Sequence, residues 1–242
     1  MKFSCSRPEL YEIVSNVSRA VSGKTSLAVL EGILIRAKGD TLSFLGYDLD
    51  LGISAQMGAQ VEEEGEIVLS AKLFVDMMRR MNGDTVTVRT DEKYLTEIKS
   101  GATEFTILGI PSDEFPEIPV VQEEQSISLP QHLLKSMIDQ TLFAISTNDS
   151  KPVHTGSLFQ LEAGELRVVS VDGFRLALRR EPVQRIDGGA FRFVAPGAAL
   201  SEVEKICGDT EDEDYVNGSF FSGSFEFNNL YMADWDSWAF FG

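Results

Sequence analysis

Two cysteines, two histidines, and 21 Lys plus Arg against 38 Asp plus Glu leave this 242-residue chain poor in the residue types that build most catalytic centres. Cys5 and Cys207 have no C-x-x-C spacing and suit a reducing cytoplasm. His132 and His154 stand without companions, so neither a zinc site nor a nucleophile–base pair is suggested. A G-x-S-x-G elbow is absent. No apolar run is long enough for a signal peptide or a bilayer span, so a cytoplasmic protein with no membrane partner is expected. The net charge of -17 argues against a general basic coat for nucleic acid.

What remains is a globular composition, 43% hydrophobic and 24% charged, with room for two domains. Apolar residues return every three or four positions in four stretches, which predicts four amphipathic helices. The first, RPELYEIVSNVSRAVSG, turns Leu10, Ile13, Val14, Val17 and Val21 to one face. The second, SAKLFVDMMRRMNG, has Ser70 as cap, Leu73, Phe74, Met77 and Met81 inward, and Gly83 as stop. The third is LPQHLLKSMIDQTLFAIS. The fourth, APGAALSEVEKICG, turns Leu200, Val203 and Ile206 inward.

These helices start near 7, 70, 130 and 197, a period of about 60 residues, and each follows a short strand-like run. Alternating runs such as TLSFLGYD, TVTVRT, TEFTILG, ELRVVSVD and RLALRR read as antiparallel strands. The repeating unit is strand, helix, then two or three antiparallel strands. Two units with their helices on one side of a continuous sheet would make one α+β domain. Residues 110–125, IPSDEFPEIPVVQEEQ, hold three prolines and five acidic residues and mark a boundary. Two domains of similar plan follow, 1–120 and 121–242.

SGKTS (Ser22 to Ser26) resembles the tail of a phosphate-binding loop. However, Ser18 stands where that motif needs glycine, and the segment follows a helix rather than opening one. Asp48 and Asp50 in YDLDLG share a face, yet no third ligand is suggested, and a solvated turn accounts for them better than a metal does. No cofactor, metal site or catalytic residue is indicated. The scarce cations gather on the helices and the loops beside them: Arg19 and Lys24, Lys72, Arg79 and Arg80, then Lys135 and Lys151. If the helices line one surface, these cations form a weak, salt-sensitive phosphate-facing surface.

Several segments in order then carry a family resemblance: the MKF start, KTSLAVLEGILI, TLSFLGYDLDLGI, LSAKLFVDMMRRM, FTILGIPSDEFPEIP and VVSVDGFRLALRR. Over roughly residues 1–212 the chain resembles the β subunit of bacterial DNA polymerase III, the replicative sliding clamp. The resemblance implies the DNA-clamp (processivity) fold and a non-catalytic subunit. It implies a homodimeric ring around duplex DNA, held without sequence preference. It also implies an outer groove that docks the polymerase, clamp-loader subunits and repair proteins through short peptides. A ring retained by topology needs only modest attraction to phosphate, which fits the acidic balance.

By position, the resemblance implies DNA contact at Lys24, Asn148 and Lys151, with Arg79 and Arg80 on the second helix joining them. It implies subunit contact at Phe105 and Ile107, and a peptide groove at His154, Val171, Gly173, Phe174, Arg175 and Leu176. His154 replaces a residue that is apolar in many relatives, and a lysine usual near Ala198 is missing. From about Tyr215 the text finds no counterpart in the family and holds 10 of the chain's 23 aromatics. The family's third domain is expected to be absent, which would leave the ring open and the groove half-built. A shortened relative that binds peptides without encircling DNA is the alternative expectation.

Overall fold

The computed structural model describes all residues except 22, 24, 118–125, 149, 184, 188, 209–214, 220–223, 228, 229 and 235–242. It describes the backbone alone at 126, 185–187 and the strands from 215 onward. The chain divides into two compact units, Met1–Ile118 and Pro119–Gly242.

In the first unit β1 (Lys2–Ser6) leads into α1 (Arg7–Val17), then β2 (Gly32–Lys38), β3 (Thr41–Tyr47) and β4 (Leu51–Gly58). A short β5 (Gln60–Glu63) and β6 (Gly65–Ser70) lead into α2 (Ala71–Arg80), followed by β7 (Thr85–Thr90), β8 (Leu95–Ser100) and β9 (Thr103–Leu108). The second unit repeats this order with β10 (Ser126–Pro130), α3 (Gln131–Leu142), β11 (Gly156–Glu162), β12 (Glu165–Val171) and β13 (Leu176–Pro182). Then come β14 (Arg185–Asp187), β15 (Phe191–Pro196), α4 (Gly197–Ile206), β16 (Tyr215–Ser219), β17 (Ser224–Phe227) and β18 (Leu230–Asp234).

The expectation of one continuous sheet per domain is corrected by the strand order. Within the first unit the orders are β5-β1-β7-β8-β9 and β4-β3-β2-β6. The second unit has β14-β10-β16-β17-β18 and β13-β12-β11-β15. The first strand of each half crosses over to complete the meander of the other half, β1 beside β7 and β6 beside β2. This exchange locks the halves together, because neither half can bury its helix and close its sheet alone.

The segment from about Tyr215, expected to lack a counterpart, supplies β16 to β18 in the places that β7 to β9 occupy in the first unit. Short runs rich in Gly, Ser and Asn hide these strands from any alternation test. The open edge of β10 gives them a partner.

Each helix pair packs on the inner faces of its sheets. Leu10, Val14 and Val17 of α1 and Phe74 and Met78 of α2 are buried beside Phe3, Ile35, Phe44 and Ile53. Leu134, Met137 and Ile138 of α3 and Leu200 and Val203 of α4 are buried beside Phe159, Leu166 and Val168. Two details of the second helix depart from expectation. Leu73 is 49% exposed, while Met78 takes the inward position. Ser70 makes no side-chain cap, since it is the last residue of β6, opposite Gly32.

The far ends of α2 and α4 are tied down from α1 and α3 instead. Arg7 Nε donates to the Gly83 carbonyl at 2.7 Å and its guanidinium also reaches the Met78 carbonyl. Gln131, at the matching first position of α3, accepts from the Gly208 N–H at 2.8 Å. The Met78 carbonyl is one that the end of α2 leaves orphaned, whereas the Gln131 contact holds the backbone just past α4.

Candidate functional site

On the sheet β13-β12-β11-β15, the residues facing away from the helices form two rows. Leu178, Val169, Leu158 and Val194 lie side by side across the four strands. Arg180, Arg167, Gln160 and Arg192 form the next row. Such a row leaves apolar side chains on a sheet face away from the helices. Its upper end deepens into a pocket of about 160 Å³ lined by Val153, His154, Gly156, Leu158, Val169, Val171, Arg192, Phe193 and Val194.

Two predicted groove residues, His154 and Val171, line this pocket, and Leu176 sits directly opposite Val171 on the neighbouring strand. Gly173, Phe174 and Arg175 lie outside it, in the turn between β12 and β13. That turn is built by Asp172. Its Oδ1 accepts from the N–H groups of Phe174 and Arg175 at 2.9 and 3.0 Å, and Gly173 takes φ +94°, which favours glycine. These two N–H donors, with help from the Arg175 side chain, hold the Asp172 carboxyl below its ordinary range. Arg175 Nε donates to Asp172 Oδ2 at 2.7 Å, and its guanidinium lies 5.9 Å from the centre of the Phe143 ring. The guanidinium is therefore oriented from two sides. Phe174 is fully exposed, with Leu176 at 65% and Phe143 at 61%.

Below the pocket, Ser157 and Ser170 share a buried 2.7 Å hydrogen bond between β11 and β12. It satisfies two hydroxyls that would otherwise be costly to bury.

Sequence reasoning missed Val153, Leu158, Val169, Val194 and Phe143. A signal for most of them was present. Leu158–Phe159, Val168–Val169 and Phe193–Val194 are adjacent apolar pairs, so each strand is apolar on both faces rather than one. Phe143, just past α3, has no such signal.

Of the predicted DNA-facing residues, Lys24 lies outside the described residues. Arg79 and Arg80 are exposed on the last turn of α2, where Arg79 pairs with Asp76. Asn148 and Lys151 are exposed after α3. Asn148 is also a turn former, its Oδ1 accepting from the Ser150 N–H at 3.0 Å. On the predicted subunit edge, Phe105 and Ile107 face the same side as Ile98 and Thr96, and Ile107 is buried. The exposed apolar pair there is Leu95 opposite Leu108.

Asp48 forms a turn like that of Asp172, accepting from the N–H groups of Asp50 and Leu51 at 3.1 and 2.7 Å. Among the described residues no three ligand-type side chains converge. Burial pushes the thiols of Cys5 and Cys207 up to about 12, so neither is a nucleophile at neutral pH.

Residues 1–119 match the family model of the DNA polymerase III β subunit N-terminal domain, and residues 128–230 match that of its central domain. The chain belongs to the DNA polymerase III β-subunit family. The second match runs past Tyr215 to Leu230, so the family relation includes β16 and β17, which the sequence reading left without a counterpart. The β sliding clamp of Bacillus subtilis is 36% identical over 220 residues, covering 88% of this chain and 58% of the relative. That of Staphylococcus aureus is 32% identical over 221 residues. A putative DNA polymerase III β subunit from Eubacterium rectale has a solved structure with TM-score 0.93 and 35% identity, covering all of this chain and 66% of that one. The Bacillus subtilis DNA polymerase sliding clamp follows the same course with TM-score 0.91 and 32% identity, covering 65% of its length. The β-subunit-family chain described here thus spans 58% of the length of the first of these curated relatives.

Proposed function

We propose that this chain works as a non-catalytic sliding-clamp processivity factor of the bacterial replicative polymerase in the cytoplasm. In this role it encircles duplex DNA as part of a homodimeric ring and docks polymerase and clamp-loader subunits by short peptides. The observation that carries the reading is the open apolar row ending in the pocket at His154 and Val171, bordered by the Asp172 turn. An extended peptide with leucine and aromatic anchors fits such a surface. Apolar burial contributes about 25 cal/mol per Å², and a few anchors carry most of the affinity. His154, Val171, Gly173, Phe174, Arg175 and Leu176 form the docking end. Arg175, held by Asp172 and Phe143, offers its remaining N–H groups to peptide carbonyls or a carboxylate.

Toward DNA, Lys24, Arg79, Arg80, Asn148 and Lys151 supply sparse phosphate contacts, and the strand carrying Phe105 and Ile107 supplies subunit contact. With a net charge of -17, retention on DNA rests on topology rather than on ionic affinity.

Two measurements test this. Fluorescence anisotropy with a labelled peptide carrying leucine and phenylalanine anchors should show binding that Leu176→Ser weakens by about tenfold, the equivalent of about 1.4 kcal/mol. Loading onto nicked circular DNA should give a complex that survives gel filtration and is lost when the circle is linearised. Peptide binding with no difference between circle and line would instead mark a docking module that does not encircle DNA.

A further inference from the structure

The sheet β13-β12-β11-β15 of the second unit corresponds strand for strand to β4-β3-β2-β6 of the first. The pair Leu34–Val68 matches Leu158–Val194, and Leu34–Leu45 matches Leu158–Val169. In the first unit that apolar row is sealed. Val68 exchanges both of its outward backbone hydrogen bonds with Ile110, at 3.0 and 2.9 Å, and Val68 and Leu34 are 1% and 2% exposed. In the second unit Val194 and Leu158 line the open pocket.

The next row, two residues along each strand, differs in charge. In the first unit it holds Gln56, Ser43, Arg36 and Glu66, with Arg36 Nε 3.3 Å from Glu66 Oε2, so its charges cancel. The same places in the second unit hold Arg180, Arg167, Gln160 and Arg192, cations with no carboxylate among them. Arg167 is held from beyond the row by Glu165 at 2.7 Å and Glu162 at 3.5 Å. Arg180 and Arg192 are exposed, and neither has an ion-pair partner among the described residues. Arg192 also lines the pocket, with Leu158 and Val194. In a chain of net charge -17, unpaired arginines thus border the one apolar row that the repeat leaves open.

We propose that this face selects acidic peptides, seating an apolar anchor on the Leu178–Val194 row and holding a carboxylate two residues away on Arg192 or Arg180. The two rows lie about 6.8 Å apart along the strands, and residues i and i+2 of an extended peptide have the same separation. A guanidinium without a partner takes a carboxylate through two parallel N–H donors, which adds direction to the attraction. Glu162 and Glu165 form the following row with Pro182 and confine the cationic strip to a single row. That width suits a peptide with one or two carboxylates, whereas the continuous phosphate backbone of a nucleic acid would meet both glutamates. The charge preference rests on the peptide-docking reading above and names the kind of peptide that docks.

A pair of labelled peptides tests this, with the same leucine and phenylalanine anchors and either glutamate or glutamine two residues from the leucine. By fluorescence anisotropy the glutamate peptide is expected to bind about fivefold more tightly at low ionic strength. The advantage should close at about 1 M salt, where the screening length falls to about 3 Å. Arg192→Gln combined with Arg180→Gln should bring the two affinities together, with far-UV circular dichroism unchanged because both side chains are exposed. Should that pair disturb the fold, Arg192→Gln alone is expected to shrink the advantage about twofold. Arg36→Gln, a loss of charge on the matching sheet of the first unit, should leave the advantage as it is. Equal affinities of the two peptides for the unaltered chain overturn the charge preference and leave peptide docking intact. Binding of neither peptide overturns both. An advantage that survives the loss of both arginines, or that Arg36→Gln reduces equally, sinks the assignment to this row. Arginine-dependent binding of a labelled single-stranded oligonucleotide, with no discrimination between the peptides, would mark a nucleic-acid face in its place.

Discussion

The outer row Val68, Leu34, Leu45 of the first unit and the outer row Val194, Leu158, Val169 of the second occupy the same places on three corresponding strands. Val68 and Leu34 are sealed to 1% and 2%, whereas Val194, Leu158 and Val169 are each only half-buried. The strands are equally apolar on that face in both units. What differs is the chain beyond the sheet, because Ile110 bridges Val68 in the first unit. The second unit's open face thus consists of residues matching those that the first unit seals. The first unit shows how much apolar material the second has to offer.

The comparison breaks most visibly in the helices, where the units are alike. Leu10 of α1 and Leu134 of α3 hold matching positions and are 0% and 2% exposed. Each Leu→Ala replacement is expected to cost about 2–5 kcal/mol by lost burial and a residual cavity. Urea unfolding followed by circular dichroism measures both. Costs differing by more than that range would mean the two cores are packed differently despite their shared strand order.

A sharper contrast lies beneath the faces. The first unit has Ile33 and Gly46 where the second has the hydroxyl pair Ser157 and Ser170. Ser170→Ala strands the Ser157 hydroxyl in an apolar core and should cost about 1–3 kcal/mol, while replacing both hydroxyls together should cost less. A double-mutant cycle reads the coupling directly. Gly46 allows no such pair in the first unit, because a Cβ there would sit 2.4 Å from the Val17 carbonyl.

The outer faces themselves give the next prediction. Val68→Ala removes sealed methyl groups and is expected to cost about 2 kcal/mol, at about 0.8 kcal/mol per buried methylene. Val194→Ala, on the open counterpart, should cost less than about 1 kcal/mol. Thermal unfolding of the two variants side by side checks this. Equal costs would show that Val194 is as well covered as Val68.

These contrasts also explain what was legible in the sequence. Helices announced themselves because one buried stripe repeats every three or four residues, and the Asp172 turn because Asp and Gly have specific turn chemistry. Leu73 misled because it falls at the edge of its stripe, where a one-position rotation brings Met78 inward instead. The crossing of β1 and β6 between halves is a long-range pairing with no local signature. The same holds for β16 to β18, whose place is set by β10. The open apolar face was legible only at the turn. Its apolar floor consists of ordinary strand residues, and their exposure depends on what chain lies over them.

The mildest effect concerns the two aspartate turns. Asp172 and Asp48 cap equivalent turns through Oδ1, but only Asp172 has an arginine of its own turn, Arg175, on its second oxygen. The fold holds the Asp172 carboxyl below its ordinary value of 3.8, chiefly through the N–H groups of Phe174 and Arg175. A depressed value means that the folded turn favours the ionised form. Its contribution is fully present above 3.8 and is lost as pH falls through the lower folded value. Between about pH 7 and 5 the turn and its grip on Arg175 should therefore be insensitive to pH. Below that window the amide signals of Phe174 and Arg175 should move together as the carboxylate is protonated, and peptide affinity should fall with them. Asp172→Asn keeps an acceptor oxygen for the two N–H groups but removes the charge that orients Arg175. It should weaken the peptide a few-fold at neutral pH and flatten the acid dependence. An affinity indifferent to this substitution would mean that Arg175 is placed by Phe143 alone.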